Sequence, residues 1–225
     1  PSYSQIRKVY EGMGAKCEML QMGTEGIKTE ELQRTQAKVL HVTPFHSYPS
    51  GVTATVRKRQ EYLEWAKQNQ GIIVEDDFDS EFTVSMKVAD TLFSLDSEHT
   101  VYMNTFSKTL VPSIRISYMV LPRELMGRFQ KELGFYSCTV PSFEQHTLAR
   151  FISRGYFEKH INRMRKCYKN RRNRVISLLK TSPFAQRITI LEQNVGLHFI
   201  LKVDTQLSDQ ALVAQLEQAG TRIRA

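Results

Sequence analysis

A lysine, an arginine and several small hydroxyls lie close together in one stretch of the chain, TFSKTLVPSIRISY. Lys108 follows the segment TVYMN, whose aromatic and β-branched residues are typical of a strand, so it stands where a strand gives way to a loop. Thr105 and Ser107 precede it, and Arg115 follows seven residues later. A lone lysine is most often a solvated surface residue. An amine, hydroxyls and a guanidinium on one loop are also the groups that bind a phosphorylated aldehyde.

Acidic residues are concentrated in a second loop, EDDFDSEF, which follows the apolar strand pattern GIIV. Its five acids are Glu75, Asp76, Asp77, Asp79 and Glu81. Because hard cations prefer oxygen ligands, a magnesium or calcium site is one interpretation of this loop. The loop lacks the glycine of a calcium-binding loop, however, and the six histidines of the chain show no H-E-x-x-H spacing. The sequence therefore predicts no metal site.

Both loops are explained together by one cofactor, pyridoxal 5'-phosphate (PLP). Its aldehyde forms a Schiff base with a lysine amine, and its pyridine nitrogen stays protonated beside a buried carboxylate. Its phosphate is bound by hydroxyls and by a bidentate arginine. Lys108, one acid of the EDDFDSEF loop, and Thr105 with Arg115 match these roles in turn. The residue types alone leave the choice between Asp76 and Asp77 open.

The elements that must position these loops alternate between strand and helix patterns. Strand patterns are found in AKCEMLQM, KVLHVTP, GIIVEDDF, TVYMNTF and ISYMVL, and helix patterns in SYSQIRKVYEGMG, KTEELQRT and residues 53–70. This alternation predicts an α/β fold with a mainly parallel sheet flanked by helices. Ligands of such sheets bind at the carboxyl ends of the strands, where the loops TPFHSYPSG, EDDFDSEF and TFSKTLVPSIR are expected.

The pattern changes after residue 121 to long helices followed by a smaller mixed region. PRELMGRFQKELGF and residues 142–179 have helical character, and Gly155 is expected to divide the second of these segments. RITILEQNVGLHFILKV then predicts two strands, and SDQALVAQLEQAG a last helix. We predict residues 1–121 as part of a large α/β domain, and residues 122–225 as connecting helices with part of a smaller α+β domain. Both ends look like interruptions of a fold, so the chain is interpreted as a fragment.

The composition is that of a globular chain, with 225 residues and 41% hydrophobic content. It contains no run of about 18 apolar residues and no basic-then-apolar leader, so we expect neither a membrane span nor secretion. The three cysteines are widely spaced and form no C-x-x-C pair, which is typical of reduced thiols. The expected location is therefore cytoplasmic.

Positive charge is concentrated between Arg150 and Lys180, where eleven lysines or arginines stand against one acid, Glu158. The whole chain has a formal net charge of +8, so this stretch accounts for the excess. Two interpretations stay open: a long helix with a basic, solvated face, or a surface for nucleic acid or an acidic partner. Aromatic residues interleave at spacings that also suit burial on one helix face; they are Phe151, Tyr156, Phe157 and Tyr168.

The three loop segments, in their order and separation, resemble a known family. VTPFHSYPSG, IIVEDDFDSEF and TFSKTLVPSIRISYMVLP are similar to motifs of the aminotransferase-like domain of MocR/GabR-type bacterial transcription regulators, and the resemblance covers essentially the whole chain. It implies a fold-type-I PLP-dependent transferase-like domain that forms a homodimer. It also implies an N-terminal winged helix-turn-helix domain, outside this chain, through which the protein binds DNA.

The resemblance also assigns cofactor-binding roles to individual residues. It makes Lys108 the lysine that forms the Schiff base and Asp76 the partner of the pyridine nitrogen. Arg115 and Thr105 become phosphate ligands, with Ser107 as a weaker candidate. No residue receives a catalytic role.

Two positions depart from the pattern of active aminotransferases. Tyr48 stands before PSG, where those enzymes usually have an asparagine that bonds the phenolic oxygen of the cofactor. Phe78 stands two residues after Asp76, where the family generally has a tyrosine whose hydroxyl approaches the same oxygen. These two departures imply weaker electronic tuning of the cofactor, which favours a regulator. A working PLP-dependent aminotransferase is the alternative interpretation. Phe78 has a plainer interpretation as an isosteric apolar replacement.

Three residues are candidates for binding a small-molecule effector, either PLP itself or an amino acid. Some relatives that sense an amino acid have an arginine two residues after the tyrosine of a P-x-Y element, whereas here Tyr3 is followed by Gln5. A neutral amide cannot form a charge-assisted bidentate pair with a carboxylate, which favours PLP over a γ-amino acid as the signal. His46 matches a histidine of the family's first loop, although a lone loop histidine is more often structural.

Overall fold

The computed structural model describes residues 4–82, 90–191 and 197–223. Its larger sheet contains four strands in the order β1 (Val39–Val42), β2 (Ile72–Asp77), β3 (Thr100–Thr105) and β4 (Ser117–Val120). β1, β2 and β3 are parallel, and β4 pairs with β3 in the antiparallel direction. The mainly parallel sheet predicted from the sequence is confirmed, with one antiparallel edge strand whose direction a strand pattern alone does not specify.

In the described part of the chain, five helices precede β4. They are α1 (Ser4–Gly12), α2 (Thr29–Arg34), α3 (Val56–Asn69), α4 (Leu92–Leu95) and α5 (Phe106–Thr109). α3 begins after Thr55, whose side chain accepts a hydrogen bond from the Lys58 backbone N–H at 3.3 Å. It ends at Gln70, which adopts the left-handed conformation with φ of 47°. The helix predicted over residues 53–70 is confirmed.

The main core lies between α3 and the larger sheet. One face of α3 is apolar at helical spacing and is buried, whereas its other face is exposed. Each large apolar side chain buried in such a core contributes roughly 1.5–3 kcal/mol to stability. The buried cluster contains Ile27, Leu32, Leu40, Val42, Ala54, Tyr62, Leu63, Trp65, Ala66, Ile73 and Leu92.

One predicted strand is not formed. Residues 15–22, AKCEMLQM, contain no strand, and a single isolated bridge joins Met22 to Ile27. Leu20 and Met22 do pack against the core, as their apolar character indicates. The strand prediction is wrong because a strand requires a hydrogen-bonded neighbour, and in the described part of the chain β1 pairs with β2 alone.

The second half of the chain consists of long helices and a small antiparallel sheet. Its described elements are α6 (Arg123–Leu133), α7 (Ser142–Ser153), α8 (Tyr156–Thr181), β5 (Ile188–Leu191), β6 (Ile200–Val203) and α9 (Asp209–Gln218). Gly155, with φ of 70°, separates α7 from α8, which confirms the predicted division. The boundary between two domains at residue 121 stays a prediction. Among the described residues, no helix has the length and apolar character needed to cross a membrane.

Contacts from α8 join the second half to the larger sheet. Its Phe157 ring packs edge-on against Phe106 with ring centroids 5.9 Å apart, and its Tyr168 ring lies 5.4 Å from Phe82. Most lysine and arginine side chains of α8 are exposed. This arrangement supports the interpretation of the basic stretch as a solvated helix face, with Phe157 and Tyr168 packed inward and Tyr156 exposed.

Candidate functional site

Three loops meet at one edge of the larger sheet. They follow β1, β2 and β3, and because these strands are parallel, their carboxyl ends lie on the same side. The loop after β1 contains His46 and Tyr48. The loop after β2 contains Phe78 and Asp79, and α5, which follows β3, contains Lys108. The segments that the sequence analysis placed together therefore do converge.

The turn between β3 and α5 depends on Thr105. Its hydroxyl accepts a hydrogen bond from the Ser107 N–H at 3.1 Å, which caps α5, and donates one to the Ile116 carbonyl at 3.2 Å. Thr105 thereby joins the two ends of the segment between β3 and β4. The predicted phosphate ligand Ser107 is half-buried in the same turn, immediately before Lys108.

The two cations of this segment make no polar contact in the part of the chain that the structure describes. Lys108 and Arg115 are both exposed, and within residues 4–82, 90–191 and 197–223 no hydrogen bond or ion pair engages either side chain. Arg115 adopts the left-handed conformation with φ of 51°, directly after the short turn Pro112–Ile114. That conformation costs a non-glycine residue roughly 1–2 kcal/mol. An unpaired amine and guanidinium on one segment are available to an anionic ligand.

The acidic segment EDDFDSEF begins on β2 itself, and two of its carboxylates stabilise the fold. Glu75 is fully buried and accepts hydrogen bonds from the backbone N–H groups of Leu92 and Phe93, at 2.9 and 3.0 Å. These groups begin α4, whose first-turn donors have no helical partner of their own. Burial raises the pKa of Glu75 above its ordinary value. Glu75 therefore fixes α4 to the sheet and is not free for a ligand.

Asp77 is also engaged by protein groups. It accepts hydrogen bonds from the hydroxyls of Ser80 and Tyr102, both at 2.8 Å. Burial raises the pKa of Asp77. Successive side chains of a strand point to opposite faces, so the neighbouring Asp76 has different surroundings. Because Asp77 is occupied, the structure supports Asp76 as the carboxylate available to a ligand.

Asp76 lies beside a histidine that the sequence analysis missed. Its Oδ2 is 3.5 Å from Nε2 of His41 on β1, and Nδ1 of His41 is 2.9 Å from the Tyr10 hydroxyl on α1. Burial, together with the charge of Asp76, raises the pKa of Tyr10. Tyr10 and His41 thus hold one side of the Asp76 carboxylate. No spacing pattern could have revealed them, because they lie 66 and 35 residues before Asp76.

A second buried pair is formed by His46 and Asp79. Nδ1 of His46 is 3.0 Å from Oδ2 of Asp79, and the two side chains are 2% and 1% exposed. The ring of His198, shortly before β6, stacks on His46 with centroids 3.9 Å apart, and the Tyr48 ring lies 5.6 Å from His198. Burial lowers the pKa of His198, and the neighbouring His46 and Lys108 lower it further. His198 is a site residue that the sequence analysis did not select.

The remaining predicted site residues are Phe78, Gln5 and Tyr3. Phe78 is half-buried after β2. Gln5 is exposed on α1, the same helix whose Tyr10 reaches His41. Tyr3 lies outside the described residues. The effector roles of Tyr3 and Gln5 therefore stay predictions.

The fold that presents this site is that of the PLP-dependent aminotransferases. Kynurenine aminotransferase from Pyrococcus horikoshii, solved in complex with PMP, matches with a TM-score of 0.82 at 24% identity, over 99% of this chain and 57% of that chain. LysN, an α-aminoadipate aminotransferase from Thermus thermophilus, matches with a TM-score of 0.84 at 20% identity, over 99% and 59%. The predicted fold-type-I, α/β class is confirmed.

The sequence relatives are transcription regulators of the helix-turn-helix (HTH) type. YdeL of Bacillus subtilis (strain 168) is 35% identical over 224 residues, which is 99% of this chain and 48% of YdeL. The probable rhizopine catabolism regulatory protein MocR of Rhizobium meliloti is 31% identical, over 94% of this chain and 43% of MocR. The pyridoxine biosynthesis regulator PdxR of Corynebacterium glutamicum is 27% identical, over 100% and 48%. No protein-family model matches the chain.

This chain spans about half the length of the curated relatives that it matches. It is homologous, over nearly its whole length, to part of the HTH-type regulators that include MocR, and it has the fold of an aminotransferase. The resemblance recognised from the three loop motifs is therefore confirmed.

Proposed function

We propose that this chain is the PLP-binding, effector-sensing and dimerising region of a MocR-type transcription regulator, in which Lys108 holds PLP covalently. The proposal rests chiefly on the Lys108 amine, which is exposed at the carboxyl edge of the sheet and has no partner among the described residues. Such an amine is available as a nucleophile toward an aldehyde. When bound, PLP supplies an electron-withdrawing ring at this edge.

The other residues of the edge match the remaining groups of PLP. Arg115 offers a guanidinium without a partner among the described residues to the phosphate, and Ser107 adds a hydroxyl on the same segment. The Thr105 hydroxyl donates to the Ile116 carbonyl, so it would have to exchange that bond to reach the phosphate. Asp76, placed beside His41, offers a carboxylate to the pyridine nitrogen. The residue types at this edge therefore fit the cofactor, which supports the proposal.

A regulatory role is favoured over turnover for two reasons. Position 48 holds a tyrosine, whose ring packs beside His198, in place of the asparagine of active enzymes. Position 78 holds a phenylalanine, which lacks the hydroxyl of the usual tyrosine, so both groups that tune the cofactor are missing. The relatives are named as regulators, and the name of PdxR connects that protein with pyridoxine biosynthesis. The name of PdxR also supports PLP itself as the effector. Aminotransferase activity is the second candidate, because the fold is shared with kynurenine aminotransferase and LysN.

DNA binding is assigned to an N-terminal HTH domain outside this chain, in a cytoplasmic homodimer. The relatives are about twice as long as this chain and are described as HTH-type regulators, which supports the assignment. Binding of PLP at Lys108 would then bias the arrangement of two DNA-binding domains. Such an effect is a coupling free energy between two sites rather than a reaction.

The test is visible absorption spectroscopy of the full-length protein with PLP, compared with Lys108→Ala. The control is Lys131→Ala, which removes an exposed lysine of α6, away from the sheet edge. We expect wild type and Lys131→Ala to show the band of a lysine-bound cofactor and Lys108→Ala to lose it completely. A band that survives in Lys108→Ala, or that never forms in wild type, contradicts the proposed function.

Addition of amino acids separates the regulator from the enzyme. A band that persists in their presence supports a PLP-sensing regulator. Conversion to the aminated cofactor with release of a keto acid would instead establish an aminotransferase.

A further inference from the structure

A compact group of three potential metal ligands lies where the loops after β1 and β2 meet the segment before β6. His46, Asp79 and His198 each offer one ligand atom, and these atoms all lie within 4.8 Å of one another. His46 and Asp79 are fully buried, and His198 is half-buried. The three residues come from the loop after β1, the loop after β2 and the segment before β6.

Three polar atoms of this group have no hydrogen-bond partner. Nε2 of His46, Oδ1 of Asp79 and Nε2 of His198 are all buried, and none forms a hydrogen bond with any described residue. A buried polar atom without a partner loses its hydrogen bonds to water and gains none in the folded protein. Three such atoms in one place indicate a site that a ligand satisfies.

His46 and Asp79 are already joined by a hydrogen bond between Nδ1 and Oδ2 at 3.0 Å. The carboxylate that pairs with Nδ1 lies on the far side of the ring from Nε2, so one ion cannot be bound by Nε2 of His46 and by Asp79 together. An ion bound by both residues would instead take the place of the proton between them, with Nε2 of His198 as the third ligand atom.

We infer that His46, Asp79 and His198 form a binding site for a divalent transition-metal ion of the zinc or cobalt type. Two imidazole nitrogens and one carboxylate oxygen are ligands that suit such ions, whereas magnesium and calcium prefer oxygen throughout. Ligand atoms around tetrahedral zinc lie roughly 3.3 Å apart, so binding would draw the three side chains closer together. Three protein ligands leave the fourth position open to water.

This inference departs from the expectation that the chain has no metal site. The spacing motifs could not reveal the group, because its members lie 33 and 119 residues apart along the chain. The inference does not require PLP to be bound, since none of its three residues is assigned to the covalent or phosphate contacts of the cofactor, although His46 is also a candidate for effector binding.

The experiment is a titration of the full-length, PLP-free protein with Co²⁺, followed by its visible ligand-field spectrum. His198→Gln removes one ligand from a half-buried position, and Asp79→Asn keeps the shape of the side chain but removes its charge. The matched control is His99→Gln, because His99 also pairs with an aspartate, Asp96, at 3.1 Å but has no third ligand beside it among the described residues.

We expect wild type and His99→Gln to bind one Co²⁺ with the intense spectrum of a four-coordinate ion. His198→Gln and Asp79→Asn should each weaken binding by at least about tenfold. Equal affinity in all four proteins would overturn the inference. So would a wild-type spectrum that shows thiolate ligands, a six-coordinate ion or no bound cobalt, and that result is decisive even where a variant fails to fold.

Discussion

The carboxyl end of β2 and the segment after β3 differ in how their charged side chains are satisfied. At the acidic end of β2, Glu75 and Asp77 are buried and their oxygens accept hydrogen bonds from the protein itself. In the basic segment after β3, Lys108 and Arg115 are exposed and have no partner in the described part of the chain. Glu75 and Asp77 therefore belong to the fold, and the two cations are available to a ligand.

This difference shows why charge alone is a poor guide to function. The acidic segment has the higher density of charged residues, yet two of its carboxylates serve to fix α4 and the turn at Ser80. Buried charged groups are retained when protein donors satisfy them. Lys108 and Arg115 make no such contact with the described residues, so a ligand is the better explanation of two cations on one segment.

The largest expected effect on stability comes from Glu75→Ala. The substitution leaves the N–H groups of Leu92 and Phe93 without their acceptor, so we expect a loss of about 2–4 kcal/mol in the free energy of unfolding. Lys108→Ala is the contrasting change, with an expected effect within about 0.5 kcal/mol. Urea denaturation of both variants measures the difference. Similar losses of stability in the two variants would show that Glu75 and Lys108 do not differ in their contribution to the fold.

A smaller effect is expected in the pH dependence of stability. Burial raises the pKa of Asp77 above its ordinary value of 3.8, so the folded protein binds this proton more tightly than the unfolded chain does. The resulting stabilisation is complete below the unfolded pKa and is lost as the pH rises through the folded pKa.

Asp77→Asn removes this titration. The stability of wild type minus that of the variant should therefore decrease as the pH is raised from about 4, as measured by urea denaturation at several pH values. A difference that stays constant with pH would show that Asp77 does not titrate differently in the folded protein.

The smallest effect is expected at Arg115. Its φ of 51° is accessible to glycine without strain, so Arg115→Gly should be more stable than Arg115→Ala by about 1 kcal/mol. Both variants remove the guanidinium and should weaken PLP binding alike. Thermal unfolding and PLP titration of the pair separate the two properties, and equal stability of the variants would exclude backbone strain at this position.

Much of the fold could be predicted from local patterns. Four strands of the larger sheet, the helix over residues 53–70, the break at Gly155 and the final helix follow from hydrophobic period and from glycine. The segment AKCEMLQM shows the limit of this approach. Its composition suits a strand, but strand formation depends on a neighbouring chain that the composition does not specify.

Less of the candidate site could be predicted. The sequence placed Lys108, Thr105 and Arg115 at the end of a strand, because local backbone signals set that position. It could not identify His41 beside Asp76, since the contact depends on the parallel register between β1 and β2. The contacts of His46 with Asp79 and with His198 could not be predicted from the sequence either.

The sequence by itself determined the order of the elements, the loops that meet at the sheet edge and the residue types available there. The tertiary structure decided which of these groups are free. Asp76 and Asp77 are adjacent and chemically identical, but the pleat of β2 turns them to opposite faces, and Ser80 and Tyr102 engage Asp77. Local patterns depend on neighbouring residues, whereas the state of a polar side chain depends on partners that packing brings from distant parts of the chain.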